Sequence, residues 1–406
     1  MLEVQKFLIE QSKELSPEKV LEKLRADYAI EAKVYDEEGC VILTYNMVEC
    51  EKLKTKLHPY VMDCRGLILS YPDFKQVYCK PFTRFFNAGE SLQYQEGFSF
   101  VDAVVQEKVD GSLLSFWYHP EMGWQMATRS CAFAEGTTSA GFSKNFKDAV
   151  LKALPKDIDL DVLFESQRGI TWTFEFTSPE TRVVKDYGKS YSLYFLSAHD
   201  NTTCKEIEKA RDLFAGFVYT YNENHQIDPF LCKWPCLYDL NSLEDIKECI
   251  NTLEQMDEGF VVYHPKSGKR LKVKNPRYLE IAAIRFNGML TQNAILRMVF
   301  DGELDEYLLY FEEDRPLCEA YLKPFEAMLD AVTQEYESKY KALPYDSAMD
   351  RKLFAEAIKD SPYKHMFFRM KQGKSAVEAF STFLWPSKRD MLLKYKEEIY
   401  DIQNGG

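Results

Sequence analysis

Three short strings carry residues that could do chemistry. The first is Glu107-Lys108-Val109-Asp110-Gly111-Ser112, the second Thr173-Phe174-Glu175-Phe176, and the third Asp257-Glu258-Gly259, followed by Leu271-Lys272-Val273-Lys274. A lysine at the end of a strand, beside a glycine turn, can offer its amine to a phosphate held against the backbone. Asp-Gly also favours a tight hairpin turn, so this string alone leaves both readings open. Glu175 lies between two bulky aromatics. A buried carboxylate is costly without a partner, so it is either the outward face of an alternating strand or a site residue. Lys272 and Lys274, two apart on one strand, share a face. Like charges placed so repel unless an anion sits between them.

The stretch from His264 to Arg277 holds Lys266, Lys269, Arg270, Lys272, Lys274 and Arg277 and no acid. This is a local basic site in an acidic chain of 406 residues, with 51 Lys and Arg against 64 Asp and Glu, net −13. That balance excludes a sheath-like nucleic-acid binder, which needs a broadly basic surface. Lys266, Lys269 and Arg270 flank Ser267-Gly268 and read as surface residues of a hairpin tip. With 46% hydrophobic residues the chain can bury a large core. The ten cysteines include no CxxC pair, and the six histidines show no ligand spacing, so reduced thiols without structural zinc are expected. No GxSxG or Walker A string occurs, and no apolar run nears the roughly 18 residues of a membrane span. The opening MLEVQKFLIE is no signal peptide, so the expected location is the cytoplasm, without membrane contact.

Positioning these residues requires a sheet framework. The first thirty residues read as helix, with Ser16 as N-cap and Pro17 at the first helical position. From about Ala32, β-rich runs alternate with turns: 41–47, 66–71, 98–109, 112–119, 172–176, 191–198, 259–264 and 270–274. After Asn275-Pro276 no convincing strand remains, and helical patterns run through YLEIAAIRF, AILRMVF, LLYFEED and onward. The expectation is an α+β fold: a domain over 1–276 with antiparallel sheets, then an all-α domain over 277–406. The helical tail divides by charge. Residues 301–350 carry four basic against fourteen acidic residues, net −10, while 351–390 carry nine against four, net +5.

In order, Lys108-x-Asp110-Gly111, Phe174-Glu175-Phe176, Glu258-Gly259 and Lys272-x-Lys274 resemble the covalent nucleotidyltransferase superfamily of ATP-dependent ligases and capping enzymes. Asp63-Cys64-Arg65-Gly66, Lys80-Pro81-Phe82-Thr83-Arg84-Phe85-Phe86-Asn87 and Phe174-Glu175-Phe176-Thr177-Ser178-Pro179-Glu180-Thr181-Arg182-Val183-Val184 narrow the resemblance to the phage RNA ligase 1 family, over roughly residues 40 to 277. The resemblance implies an adenylyltransferase domain and an ATP-dependent RNA ligase. Lys108 would take AMP from ATP, pass it to an RNA 5′-phosphate, and an RNA 3′-hydroxyl would then displace it. Lys272 and Lys274 would grip the α-phosphate and, as neighbouring cations, ease the loss of the Lys108 proton. Arg65 and Arg84 would orient the outer phosphates. Phe86 would support the nucleotide pocket, Gly111 would contact the nucleotide, and Arg129 would contact nucleotide or RNA. Magnesium or manganese would be held largely through water by Asp110, Glu175 and Glu258, with Glu175 also near the ribose. The strand Tyr191 to Leu196 corresponds to the segment that stacks on adenine.

The resemblance further implies single-stranded RNA ends, foremost nicked tRNA, as substrate, a monomeric enzyme, separate kinase and phosphatase partners to heal the ends, a tail that recognises RNA or tRNA, and, for a phage-encoded protein, the host cytoplasm. Arg84 and Arg129 stand where family members often have lysine, which keeps charge but not geometry. Two rivals stay in view: a capping enzyme or DNA ligase, which would place a β-barrel after the paired lysines, and a non-catalytic RNA-end binder, which has no need of the nucleophile.

Overall fold

The computed structural model describes residues 1–138, 142–254, 256–286, 289–302, 304, 307–308 and 311–404. It opens with helices Glu3–Gln11 and Pro17–Tyr28. Proline suits the start of the second because its missing N–H has no intrahelical partner there. Ser16 holds the N-cap position, though its side chain makes no capping bond.

The strands that build the site are β1 (Ile30–Tyr35), β2 (Cys40–Tyr45), β3 (Arg65–Ser70), β4 (Val77–Cys79), β5 (Phe86–Asn87), β6 (Val104–Glu107), β7 (Ser112–His119), β8 (Gly123–Ala127), β9 (Ile170–Thr177), β10 (Ser192–Asp200), β11 (Lys205–Glu206), β12 (Leu237–Tyr238), β13 (Gly259–His264) and β14 (Lys269–Lys274). They form three sheets, ordered β1-β2-β3-β4, β12-β6-β13-β14-β5 and β11-β10-β9-β7-β8. Every pairing in them is antiparallel except β14 with β5. The α+β fold with antiparallel sheets is therefore as expected. The run 98–109 shortens to β6, because Phe98 and Phe100 pack against the core of the second sheet instead of extending the strand.

Alternation explains the layering. Trp172, Phe174 and Phe176 share one face of β9 and are fully buried with Phe116, Phe164, Phe195 and Phe214. Removing Trp172 to Ala would cost about 3–5 kcal/mol. The opposite row holds Thr171, Thr173, Glu175 and Thr177. In the second sheet, Phe260, Val262 and Val273 pack on Ile246 and Ile250 of helix Leu243–Ile250, which leaves Val261, Lys272 and Gln106 on the other face.

Two compact units divide the chain, Met1–Met289 and Leu290–Gly406. The division falls past the expected 276/277 boundary. Helix Pro276–Ile284 stays with the first unit, where the Tyr278 hydroxyl donates to Asp110 Oδ1 at 2.7 Å. Short strands at Arg285–Phe286 and Met289–Leu290 also depart from the expected absence of strands there. The second unit is helical: its longest helix is Arg315–Glu335, and Phe300 packs on Phe325, Phe380 and Trp385 with ring centroids 5.4, 5.1 and 5.5 Å away. Within LLYFEED, residues 309–310 lie outside the described residues. All ten cysteines are free thiols. Among the described residues, no helix is long and apolar enough to cross a membrane.

Candidate active site

Lys108 to Gly111 link β6 of the second sheet to β7 of the third, so the string is no hairpin turn but the seam between two sheets. The Lys108 amide donates to the Gly259 carbonyl at 2.8 Å. Both glycines are sterically required. A Cβ on Gly111 would stand 2.5 Å from the Phe176 carbonyl oxygen and 3.0 Å from Glu175 Cγ. One on Gly259, where φ is +125°, would stand 2.2 Å from the Val273 carbonyl oxygen.

The seam encloses a cavity of about 300 Å³, lined on its polar side by Arg65, Lys108, Glu175, Glu258, Lys272 and Lys274 and on its apolar side by Phe82, Phe85, Leu113, Leu196 and Val261. Glu258 pairs with both flanking lysines: Oε2 accepts from Lys108 Nζ at 2.6 Å and Oε1 from Lys274 Nζ at 2.8 Å. Burial opposes the charge on Lys108, but Glu258 and Glu175 outweigh it and raise the ammonium's pKa. The expected easing of its proton by neighbouring cations is thus reversed in this state. Lys272 shows that effect instead. Burial, with Arg65, Lys108 and Lys274 close by, brings its pKa down to about 7. Burial lifts Glu175 to about 7, against the pull of Lys108.

Two of the three carboxylates expected near a metal, Asp110 and Glu258, are engaged by protein donors. Asp110 is buried with both oxygens engaged: Oδ2 accepts the amides of Val184 at 2.8 Å and Lys185 at 2.6 Å, and Oδ1 accepts Tyr278. Its amide donates to the Tyr187 hydroxyl at 3.0 Å. Asp110 therefore orders the seam, and Glu258, held by two ammoniums, acts as a clamp. Among the described residues no group of three or more His, Cys, Asp or Glu is arranged to hold a metal ion. Glu175 lines the cavity and has no cationic side chain within ion-pair distance among those residues.

Arg65, Lys108, Gly111, Glu175, Glu258, Lys272 and Lys274 thus converge on one cavity; Arg84, Phe86 and Arg129 do not line it. The Arg84 guanidinium is buried over the rings of Tyr45 (4.3 Å) and Phe86 (4.8 Å). Phe86 pairs beside Leu271 and packs edge-on to Tyr94, leaving its neighbour Phe85 to face the cavity. Arg129 lies past the end of β8 and donates to the Tyr45 carbonyl at 3.1 Å. From β10 no aromatic enters. The register shift between Phe195 and Ser197 turns Leu196 inward.

Arg270 is the residue the sequence reading misplaced. It is buried, lines the cavity in the same row as Lys272 and Lys274, and makes a bidentate pair with Glu206 at 2.7 and 2.5 Å. Period two, carried one step back from Lys272, would have found it; nothing in the sequence marked Glu206. Lys266 is an exposed hairpin residue as expected, paired with Asp102 at 3.2 Å.

The segment behind the seam is pinned by Glu180. Its buried carboxylate accepts from Lys152 Nζ and the Tyr191 hydroxyl, each at 2.7 Å, and from the Ser143 amide at 2.6 Å and hydroxyl at 2.8 Å. Burial alone would raise its pKa, but these donors bring it down to about 2. The same segment runs on to the Val184 and Lys185 amides that hold Asp110.

A strand-end lysine facing further lysines across a carboxylate, in a cavity with an apolar wall, is the arrangement of a phosphate-handling transferase. A family model described as RNA ligase, of the phage T4 ligase 1 type, matches residues 63–278, more than half of the chain. The chain belongs to this RNA ligase family. It is 28% identical over 379 residues to a protein of Autographa californica nuclear polyhedrosis virus that carries the name bifunctional polynucleotide kinase/RNA ligase, covering 88% of this chain and 49% of that protein. The chain thus spans about half the length of that relative. It is 24% identical over 368 residues to an RNA ligase of Rhodothermus phage RM378, covering 77% of this chain and 82% of the relative. Solved structures with some likeness include a Naegleria gruberi RNA ligase with ATP and manganese (TM-score 0.35, 17% identity, 48% of this chain and 54% of that one). An Aquifex aeolicus protein described as an ATP-dependent DNA ligase gives a TM-score of 0.43 at 17% identity, over 86% of this chain and 89% of that one.

Proposed function

We propose that the protein is an ATP-dependent RNA ligase that works through a lysyl-AMP intermediate on Lys108. The observation that carries this reading is the placement of Lys108 Nζ in a cavity with four further cations, of which Arg270 is paired to Glu206 and Lys274 shares Glu258 with Lys108, while Arg65 and Lys272 have no carboxylate within ion-pair distance among the described residues. The amine attacks the α-phosphorus of ATP, a P–N bond forms and pyrophosphate departs. An RNA 5′-phosphate oxygen then takes the AMP and frees the lysine. Finally an RNA 3′-hydroxyl attacks that phosphate and expels AMP.

Lys108 must shed a proton before it attacks. Glu258 Oε2, at 2.6 Å, is the acceptor in reach. Lys272 and Lys274 receive the phosphate charge that builds during transfer. Leu113, Leu196 and Val261 offer the base an apolar surface. A divalent cation, magnesium or manganese, would neutralise part of the polyphosphate charge when bound; Glu175 is the carboxylate that would hold it, through water, since Asp110 and Glu258 are engaged elsewhere.

The same reading extends to tRNA with a broken loop as substrate, with kinase and phosphatase activities preparing its ends, and to the basic stretch 351–390 as an RNA contact. Incubation with α-labelled ATP or GTP tests the core of it. Label from ATP should appear on the protein and vanish in Lys108→Ala. The labelled protein should seal single-stranded RNA bearing a 5′-phosphate; equal or better sealing of nicked duplex DNA would reject the RNA assignment.

A further inference from the structure

Behind Phe85 lies a second cavity of about 300 Å³, lined by Arg84, His199, Glu206, Lys269 and Arg270. Phe85 and Arg270 line both this cavity and the nucleotide cavity, so the two are neighbours. Arg84 and His199 are 3% and 5% exposed, and each keeps a buried nitrogen without a hydrogen-bond partner, Nη1 and Nδ1 respectively. Buried polar groups normally find partners, and leaving one unpaired is destabilising. Two such groups at one cavity point to an absent hydrogen-bonding ligand. The charges give its sign. Three cations meet one carboxylate, Glu206, which is already committed to Arg270. Arg84 has no carboxylate within ion-pair distance among the described residues, and the rings of Tyr45 and Phe86 fix its plane.

A phosphate fits these donors, and two sources could supply it, the polyphosphate tail of ATP or the RNA backbone. The surroundings favour RNA. At Cys204 the cavity abuts a wider groove of about 530 Å³ that carries Lys75, Tyr78, Tyr118 and Arg168 and no carboxylate in its lining. The acids that pair with Lys75 and Arg168, Asp73 at 4.0 Å and Asp161 at 2.9 Å, stand outside it. Tyr78 stacks on Trp117 and the Arg168 guanidinium lies over the Tyr118 ring at 4.8 Å, an aromatic and cationic surface of the kind that takes unpaired bases, whereas a nucleotide tail or free pyrophosphate has no use for one. Resting on the ligase reading, we propose that this cavity is a second phosphate subsite, which holds an internal phosphate of the 5′-phosphate RNA strand while that strand's end occupies the nucleotide cavity.

His199→Phe keeps a flat ring against Phe82 and removes the ring nitrogens. In sealing assays the KM for RNA should rise about tenfold, and should rise far more than the KM for ATP in lysyl-AMP formation. A second measurement needs no protein variant: neutral methylphosphonates are placed one at a time along the donor strand. One internal position should reproduce the loss in the wild type and add little in His199→Phe. An equal or larger rise in the KM for ATP would give the cavity to the polyphosphate tail and overturn the proposal, as would a strand on which no internal phosphate matters. If His199→Phe does not fold, the methylphosphonate series decides alone. Wild-type protein that takes no label from ATP would instead fail the ligase reading itself, and the subsite with it.

Discussion

Glu258 holds Lys108 and Lys274 at once, one ammonium on each carboxylate oxygen, at 2.6 and 2.8 Å. Lys108 is thus one arm of a buried three-membered ion network. On the proposed ligase reading, incoming phosphate would compete for Lys274 and loosen the hold on Lys108.

Glu258→Gln should therefore be costly twice over. Breaking a buried pair from one side typically costs roughly 3–5 kcal/mol, and lysyl-AMP formation should fall at least as steeply. Because Lys108, once released from its carboxylate, can lose its proton, the stability deficit should shrink as pH rises. Chemical denaturation of both proteins at neutral and at alkaline pH would show it; a pH-independent deficit would contradict the network.

Lys272 supplies a proton test. Its folded pKa, about 7, lies below the ordinary 10.5. Between those values the unfolded chain carries a proton that the folded one lacks, so its destabilising contribution is full below about 7 and fades toward 10.5. Phosphate beside it raises the pKa again. Binding of ATP above neutral pH should take up a fraction of a proton, and Lys272→Met should abolish the uptake. Calorimetry in buffers of different ionisation heat measures it directly.

For Glu180 the sign is opposite. With a folded pKa of about 2 against an ordinary 4.5, its stabilisation is complete above 4.5 and is lost as pH falls through about 2. Glu180→Gln should cost about 1–3 kcal/mol near neutrality and progressively less in acid. Acid-unfolding curves for the two proteins should converge toward low pH.

Gly111→Ala should destabilise by about 1–3 kcal/mol through overpacking, since its Cβ would meet the Phe176 carbonyl oxygen at 2.5 Å. Displacement of Glu175, also close, should slow lysyl-AMP formation. Thermal melting and labelling, measured together, check both.

Much of this site was legible in one dimension. Strands β7 and β13 coincide with their β-rich runs, and period two placed Lys272 with Lys274. The same period left Glu175 between two readings that the structure reconciles: it points away from the aromatic core, yet what it faces is another sheet rather than solvent. What escaped was partner choice across distance. That Glu206, 64 residues upstream, would meet Arg270, or that Glu258 would answer two lysines, depends on how sheets pack. Phe85 rather than Phe86 lines the cavity for a like reason: alternation separates two faces without saying which one is empty.

Because Lys108 sits on the link between two sheets, the walls of the cavity belong to separate strand ladders, joined by four residues of chain and by contacts such as that of Arg270 with Glu206. An insertion between Lys108 and Ser112 would leave every strand ladder intact. Such a protein should fold and melt much like its parent while its two half-sites drift out of register, so that catalysis is lost by misalignment rather than by damage to any single group.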